Sequence, residues 1–142
     1  MTAKDIERLI AGAEKASKRA IAPYSKYRVG AALLGQSGKI YTAFNVENPS
    51  LMLTMCAERI ALYKAITEGE SKIRAVAIVS IGDVSPSAGD VSPSAKGGYC
   101  FPCGVCRQAL FEFAPDADIF LKSKKGIKRY SVRELLPEAF KK

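Results

Sequence analysis

The sequence predicts an α/β fold in which helices cover both faces of a β-sheet. Segments with apolar residues at helical spacing alternate along the chain with short strand-like segments. The segment IRAVAIVS at 73–80 contains a continuous apolar run, which is typical of a strand buried on both faces. Hydrophobic residues make up 48% and charged residues 25% of the 142 positions, a composition that indicates a globular protein.

The N-terminal half is predicted to contain a helix, a hairpin and a second helix. Residues 3–20 place apolar side chains at helical spacing. Strand-like segments at 28–35 and 39–46 flank the turn sequence QSGK, which predicts a β-hairpin. A second helix is predicted over 56–70, with Thr54 as its N-cap.

After the strand at 73–80, the C-terminal half is predicted to continue with a short helix over 103–114. The segment at 117–122 is strand-like, and a further strand is expected near 127–131. Ser131 and Glu134 have the spacing of a capping box and predict a short final helix.

A tandem repeat interrupts this pattern. The heptapeptide GDVSPSA occurs at 82–88 and again at 89–95, and its small, polar and proline residues predict a loop. We interpret 82–95 as a duplicated surface insertion in one domain that spans 1–142, because lengthening a loop costs little free energy. A flap over the neighbouring Cys103 is the alternative.

The composition also limits the chemistry. The N-terminus lacks the apolar region of a signal peptide, and no apolar run is long enough to span a bilayer, so we expect a cytoplasmic protein. Cytosolic cysteines stay reduced, so the four cysteines are expected to bind metal or to act in catalysis. The chain has no histidine, so any metal must be held by thiolate or carboxylate.

The net charge of +8 is concentrated at the C-terminus, since residues 122–142 hold eight basic and two acidic residues. Such a segment can attract nucleic acid. It lacks aromatic residues interleaved for base stacking, so we favour a solvated basic edge.

Two motifs bring together side chains that bind metals. Cys56 lies two residues before Glu58 in CAER, and Cys103 and Cys106 form the PCGVC motif. Both motifs open predicted helices, whose N-terminal N–H groups stabilise thiolates. Three thiolates suit a tetrahedral zinc ion with one open position, where zinc lowers the pKa of water toward 7.

Cys100 leaves alternatives open. Four cysteines could form a closed structural zinc site, and their C-x₂-C-x₂-C spacing is also found in iron–sulfur ligation. Neither alternative explains Glu58. Cys100 precedes the proline of PCGVC on its loop side, so we expect it to be a bystander.

Glu58 is the expected acid/base. Residues i and i+2 of a helix point about 200° apart, so Glu58 should not bind the same metal as Cys56, yet from the first turn it can reach water there. Three thiolates leave negative charge on the site. Arg59 and Arg107 are expected to donate hydrogen bonds to thiolate sulfur and reduce that charge.

These segments closely resemble the small cytidine deaminases, and the resemblance runs through nearly the whole chain. It is carried by PYSKYRVGAAL (23–33), NVENPSLMLTMCAERIALYKA (45–65), PCGVCRQALFEF (102–113) and ELLPEAF (134–140). The resemblance implies a three-layer α/β/α sandwich with a mixed β-sheet. It also implies one zinc ion per subunit and a homotetramer whose sites are built from several chains.

The resemblance further implies roles for individual residues. Cys56, Cys103 and Cys106 would hold the zinc, and Glu58 would move protons during attack at C4 of the cytosine ring. The implied substrate-binding residues are Asn45 and Glu47 at the ribose hydroxyls, with Ala57, Tyr27 and a neighbouring subunit's Phe140. Two positions depart from the family, because Leu51 replaces a common aromatic residue and Tyr27 replaces a phenylalanine.

The function implied is hydrolytic deamination of cytidine and deoxycytidine to uridine or deoxyuridine plus ammonia, in pyrimidine salvage. Deamination of a related aminopyrimidine nucleoside such as blasticidin S is an alternative within the same chemistry. An enzyme that edits polynucleotides is a third possibility, prompted by the basic C-terminal segment. Subunits that close each other's sites would exclude a strand, so no nucleic-acid partner is expected.

Overall fold

The computed structural model describes residues 1–81 and 98–142. The predicted insertion at 82–95 lies outside the described residues. The helices and strands are α1 (Ala3–Ser17), β1 (Arg28–Gly35), β2 (Ile40–Phe44), α2 (Ala57–Thr67), β3 (Ile73–Ile81), α3 (Gly104–Phe113), β4 (Asp118–Ser123), β5 (Gly126–Ser131) and α4 (Val132–Leu135). A single 3₁₀ turn, Leu51–Leu53, lies between β2 and α2.

In the part of the chain that the structure describes, five strands form one mixed sheet in the order β2-β1-β3-β4-β5. The hairpin partners β1 and β2 are antiparallel, and β1 is also antiparallel to β3. β3 and β4 are parallel, and β5 returns antiparallel to β4. The predicted hairpin, the mixed sheet and the strand near 127–131 are therefore confirmed.

Each face of the sheet is covered by helices. In β1, Ala32 and Leu34 belong to the core under α1, whereas Ala31 and Leu33 belong to the core that contains residues of α2 and α3. This alternation follows from the two-residue period of a strand. Gly30 lets α1 approach closely, because a Cβ atom there would lie 1.9 Å from the Ala13 carbonyl oxygen. The α/β prediction with helices on both faces is confirmed.

The ends of α1 and α4 show how local sequence starts a helix. The capping box at Ser131 and Glu134 is present at α4 as predicted, although that helix has only four residues. A second capping box starts α1 and was not predicted, with Thr2 accepting from the Asp5 backbone and Asp5 returning the bond. α1 ends at Ser17, three residues before the predicted end.

The predicted N-cap of α2 is wrong. Cys56, and not Thr54, is the N-cap residue. The Thr54 hydroxyl instead closes the preceding loop, because its Oγ1 accepts from the Asn48 backbone N–H at 3.1 Å. α3 begins in the same way as α2, with Cys103 as its N-cap. Neither cysteine makes a side-chain capping hydrogen bond, which leaves both sulfur atoms available for other contacts.

Within residues 1–81 and 98–142, no helix has the length and apolar character that crossing a membrane requires.

Candidate active site

Three of the four cysteine sulfurs meet where α2 and α3 begin. Cys56, Cys103 and Cys106 place their Sγ atoms within 4.8 Å of one another. The Cys56 and Cys103 sulfurs are 3.9 Å apart. Two of these residues are helix N-caps, so the positive ends of both helix dipoles face the cluster. The structure thus brings together the three cysteines predicted to bind zinc.

The cluster has the dimensions of a zinc site. Two sulfurs on a tetrahedral zinc ion, each about 2.3 Å from the metal, lie about 3.8 Å apart. The measured 3.9 Å between Cys56 and Cys103 agrees with that spacing. Sulfur donors without histidine favour zinc over magnesium or calcium, which prefer oxygen. The residues present therefore fit a zinc ion.

The Cys56 and Cys106 thiols shift each other's pKa in opposite directions. A hydrogen bond from the Cys106 thiol lowers the pKa of Cys56 to about 5, with a further contribution from Arg59. The same hydrogen bond raises the pKa of Cys106, and burial adds to that rise. The cluster therefore carries a thiolate at neutral pH, and a thiolate is the form of cysteine that binds metal.

Glu58 is buried beside the sulfurs, as its position in the first turn of α2 predicts. It is only 4% exposed, and its Oε2 lies 3.4 Å from Cys106 Sγ. Burial raises the pKa of Glu58 to about 7, and the nearby Cys56 thiolate contributes to the rise. A carboxyl group with a pKa near neutrality can both accept and donate a proton at physiological pH.

The two arginines predicted to contact sulfur have different partners. Arg59 Nη2 lies 3.7 Å from Cys56 Sγ and donates to it. Its Nε is buried and has no hydrogen-bond partner among the described residues. Arg107 instead donates its Nε–H to the Pro102 carbonyl and its Nη1–H to the Leu135 carbonyl. Arg107 thus bonds to the backbone just before α3 and at the end of α4. Arg59, in contrast, places positive charge next to a metal-binding sulfur.

A short backbone pairing, absent from the sequence prediction, brings Asn45 and Glu47 near the cluster. Val46 pairs with Met55 through two hydrogen bonds of 3.0 and 2.9 Å. Met55 directly precedes Cys56. The pairing thus places the predicted ribose-binding residues immediately beside the start of α2.

The side chains of Asn45 and Glu47 hold the loop before β1. Asn45 Oδ1 accepts from the Val29 backbone at 2.9 Å, and its Nδ2 donates to the Tyr27 carbonyl at 2.8 Å. Glu47 Oε1 accepts from the backbone N–H groups of Tyr24 and Ser25. Both side chains therefore have a structural role, which the sequence prediction did not include.

The remaining predicted substrate contacts occupy different environments. Ala57 is fully buried as the first residue of α2. Tyr27 is half-buried and packs against the core on the α2 side of the sheet. Phe140 is 74% exposed, and it lines a cavity of about 630 Å³ that Arg59 and Gly104 also line. Phe140 thus lies on the surface of its own chain.

Cys100 does not join the cluster of metal-binding groups found among the described residues. It is buried in the core between the sheet and the α2 and α3 helices. Burial raises the pKa of Cys100 to about 12, even though Tyr27 hydrogen-bonds to it. A neutral thiol in the core gives no support to the four-cysteine or iron–sulfur alternatives.

Comparison with a family model identifies the same region. Residues 3–122 match the model described as the cytidine and deoxycytidylate deaminase zinc-binding region. Among curated proteins, the chain is 41% identical over 140 residues to a cytidine deaminase from Sporosarcina psychrophila, covering 97% of this chain and 93% of that protein. It is 40% identical to a cytidine deaminase from Halalkalibacterium halodurans, with 96% and 94% covered.

Solved structures give the same similarity. The crystal structure of cytidine deaminase from Burkholderia pseudomallei superposes with a TM-score of 0.81 at 35% identity, covering 99% of this chain and 100% of that chain. A blasticidin-S deaminase from Bacillus cereus is a more distant relative, with 26% identity over 113 residues, covering 80% of this chain and 76% of that protein.

Proposed function

The chain belongs to the cytidine deaminase family and is a zinc enzyme that deaminates cytidine; from that premise we propose that it converts both cytidine and deoxycytidine to the corresponding uridines and ammonia, in pyrimidine salvage. The observation that carries this proposal is the Glu58 carboxyl group. It lies buried within 3.4 Å of a three-thiol cluster, in a chain that offers no histidine. A buried acid beside a thiolate metal site suits hydrolysis at a ring carbon.

Cys56, Cys103 and Cys106 hold the zinc in this proposal. The metal, when bound, supplies Lewis acidity that lowers the pKa of water toward 7. Arg59 donates to Cys56 Sγ and draws negative charge from that sulfur. The Arg59 guanidinium therefore reduces the negative charge that the thiolates place on the zinc ion, and so preserves the positive charge on which Lewis acidity depends.

Glu58 carries the protons. Its Oε2 accepts a proton from the attacking water and donates to N3 of the cytosine ring. It then takes the proton of the hydroxyl that water has placed on C4 and passes it to the 4-amino group. The C4–N bond breaks, ammonia leaves, and the carbonyl oxygen of uridine remains on C4. The pKa of about 7 that burial gives Glu58 matches a group that must gain and lose a proton in each turnover.

Asn45 and Glu47 bind the ribose hydroxyls. Glu47 uses Oε1 to hold the loop before β1, and among the described contacts its Oε2 makes no hydrogen bond. That oxygen can accept from a sugar hydroxyl. Ala57 and Tyr27 border the base, since one begins α2 beside Cys56 and the other is fixed through its carbonyl by Asn45.

The substrate range is tested by ammonia release. We expect rapid release from cytidine and deoxycytidine, and little from cytosine, blasticidin S or short single-stranded DNA, because only the first two join the cytosine ring to an unmodified pentose with free hydroxyls. The Glu58→Gln protein, prepared in parallel, controls for contaminating deaminases. Release confined to blasticidin S or to DNA would overturn the assignment.

A nucleic-acid substrate has little support in the basic C-terminal segment. Arg129 donates to Asp118 at 2.8 Å and Arg133 to Asp116 at 3.1 Å, and Lys122 pairs with Glu14. These cations are already engaged with acids of the same chain. We assign the segment to a solvated edge of the protein.

The chain assembles as a homotetramer in which Phe140 closes a neighbouring subunit's site. Large apolar side chains are exposed on the single chain, with Leu51 at 86%, Met52 at 95% and Phe140 at 74%. Exposed apolar residues of this size indicate a protein interface. Sedimentation velocity should give four times the 15.3 kDa chain mass, and a monomer at micromolar concentration would refute the assembly.

The cytoplasm is the compartment that suits this chemistry. All four cysteines are free thiols, and three of them must remain reduced to bind zinc. Residues 1–142 act as one catalytic domain, which includes the duplicated GDVSPSA sequence at 82–95.

A further inference from the structure

The Arg107 side chain connects two parts of the chain that are distant in sequence. Arg107 directly follows the zinc-binding Cys106, and its half-buried guanidinium makes two short hydrogen bonds. Nε donates to the Pro102 carbonyl oxygen at 2.8 Å, and Nη1 donates to the Leu135 carbonyl oxygen at 2.7 Å. Because Pro102 directly precedes Cys103, the first bond spans residues 102–106 from one end to the other. These residues are the end of the preceding loop and the start of α3, and they are called the ligand loop below.

The second bond holds the end of α4. Leu135 is the last residue of that helix, so its carbonyl has no partner within the helix and a cation there is favourable. Gln108, the residue after Arg107, donates its Nε2–H to the Phe140 carbonyl at 3.2 Å. Two consecutive residues of α3 therefore hold the C-terminal segment, residues 135–140, at both of its ends.

We propose that Arg107 is a positioning residue that fixes the ligand loop and the C-terminal segment relative to each other, so that zinc retention and the placement of Phe140 depend on the same side chain. This inference rests on the proposed function, since it takes the loop to hold zinc and Phe140 to close a site. The guanidinium acts through the backbone carbonyls of Pro102 and Leu135.

The planar fork of arginine is essential to this role. Two donors about 2.3 Å apart on a rigid group can serve two carbonyls at once, whereas a lysine ammonium is a single point on a flexible stem. Lysine should therefore restore one of the two bonds, and methionine neither. We expect the order Arg107, Arg107→Lys, Arg107→Met in every readout below.

The first readout is the rate of zinc transfer to a coloured chelator. We expect Arg107→Met to release zinc about 10- to 100-fold faster than the unmodified protein, which is the usual effect of losing a residue that supports metal ligands. Arg107→Lys should fall between them. The matched control is Arg133→Met, the same change on α4. Among the described residues the Arg133 guanidinium contacts Asp116 and the Phe111 ring, so this variant should release zinc at the original rate.

The second readout separates the loop from the C-terminal segment. Gln108→Ala removes only the bond to Phe140, so we expect KM for cytidine to rise while zinc release stays unchanged. Arg107→Met should lower kcat/KM by on the order of 10- to 100-fold, with KM contributing, even when zinc is kept saturating.

The outcomes are distinct. Zinc release from Arg107→Met at the original rate, or no difference between Arg107→Lys and Arg107→Met, would overturn the inference even if the unmodified enzyme deaminates cytidine. Failure of the unmodified protein to act on cytidine would overturn the proposed function instead, while the chelator experiment would still judge Arg107. Should Arg107→Met fail to fold, Arg107→Lys against Arg133→Lys gives the same test.

Discussion

A Glu58→Gln variant is expected to keep its zinc and to lose nearly all turnover of cytidine. Glutamine has the size of glutamate and can occupy the same buried position, but it cannot accept and return a proton. General acid–base groups contribute about 10²- to 10⁴-fold to a rate. Because Glu58 serves successive proton transfers, kcat should fall by at least about 10²-fold. Ammonia release gives kcat, and atomic absorption gives the zinc content of the same sample.

The control is Glu68→Gln. Glu68 is the C-cap of α2 and so lies at the opposite end of that helix from Cys56. It is exposed and pairs with Lys39. This variant should retain both zinc and turnover. If Glu58→Gln turned over cytidine at a normal rate with zinc bound, Glu58 would not be the proton carrier.

The second large effect is expected from the metal-binding cysteines. Cys106→Ser should lose zinc, because a buried hydroxyl that resists ionisation replaces a thiolate ligand. The loss of affinity should exceed the ~10- to 100-fold that follows from removing a group that only supports a ligand. Turnover should fall in parallel with the zinc content.

Cys100→Ser provides a matched control, since it makes the same chemical change in the same segment of chain. Cys100 lies in the core and outside the thiol cluster of the described residues, so this variant should keep zinc and activity, with some loss of stability from burying a hydroxyl. Loss of zinc from Cys100→Ser would mean that the site contains four cysteines.

Much of the site could be predicted because its chemistry is local in sequence. Cys56 and Glu58 lie in one helical turn, and Cys103 and Cys106 lie in another. A thiolate at a helix start is favoured by free backbone N–H groups. Each motif therefore indicates both the start of a helix and a place where a thiolate is stabilised. The alternation of helices and strands was equally local, and it gave the sheet and both covering layers.

The errors came from contacts that depend on the tertiary structure. Thr54 was expected to cap α2, but its hydroxyl bonds to the Asn48 backbone across a loop. Arg107 was expected to reach a sulfur, yet the described hydrogen bonds take its guanidinium to Leu135, 28 residues away. No periodicity or motif indicates such partners, because each becomes available only once the helices pack.

Asn45 and Glu47 are each assigned two roles, one in holding a loop and one in binding the sugar. The family resemblance implies that they contact the sugar, whereas in the structure their side chains hydrogen-bond to the backbone of the loop before β1 and of β1 itself. A polar side chain can do both when it has more than one hydrogen-bond donor or acceptor. The Val46–Met55 pairing that brings these residues beside Cys56 could not be read from the sequence, since it joins two irregular segments.

An open coordination position on the zinc distinguishes a reaction site from a structural zinc site. Zinc K-edge X-ray absorption of the purified protein tests it most directly. Three sulfur ligands at about 2.3 Å and one oxygen ligand at about 2.0 to 2.2 Å are predicted, and the same spectrum is predicted for Cys100→Ser. Four sulfur ligands around the zinc would instead mean that its coordination is closed and that the site is structural.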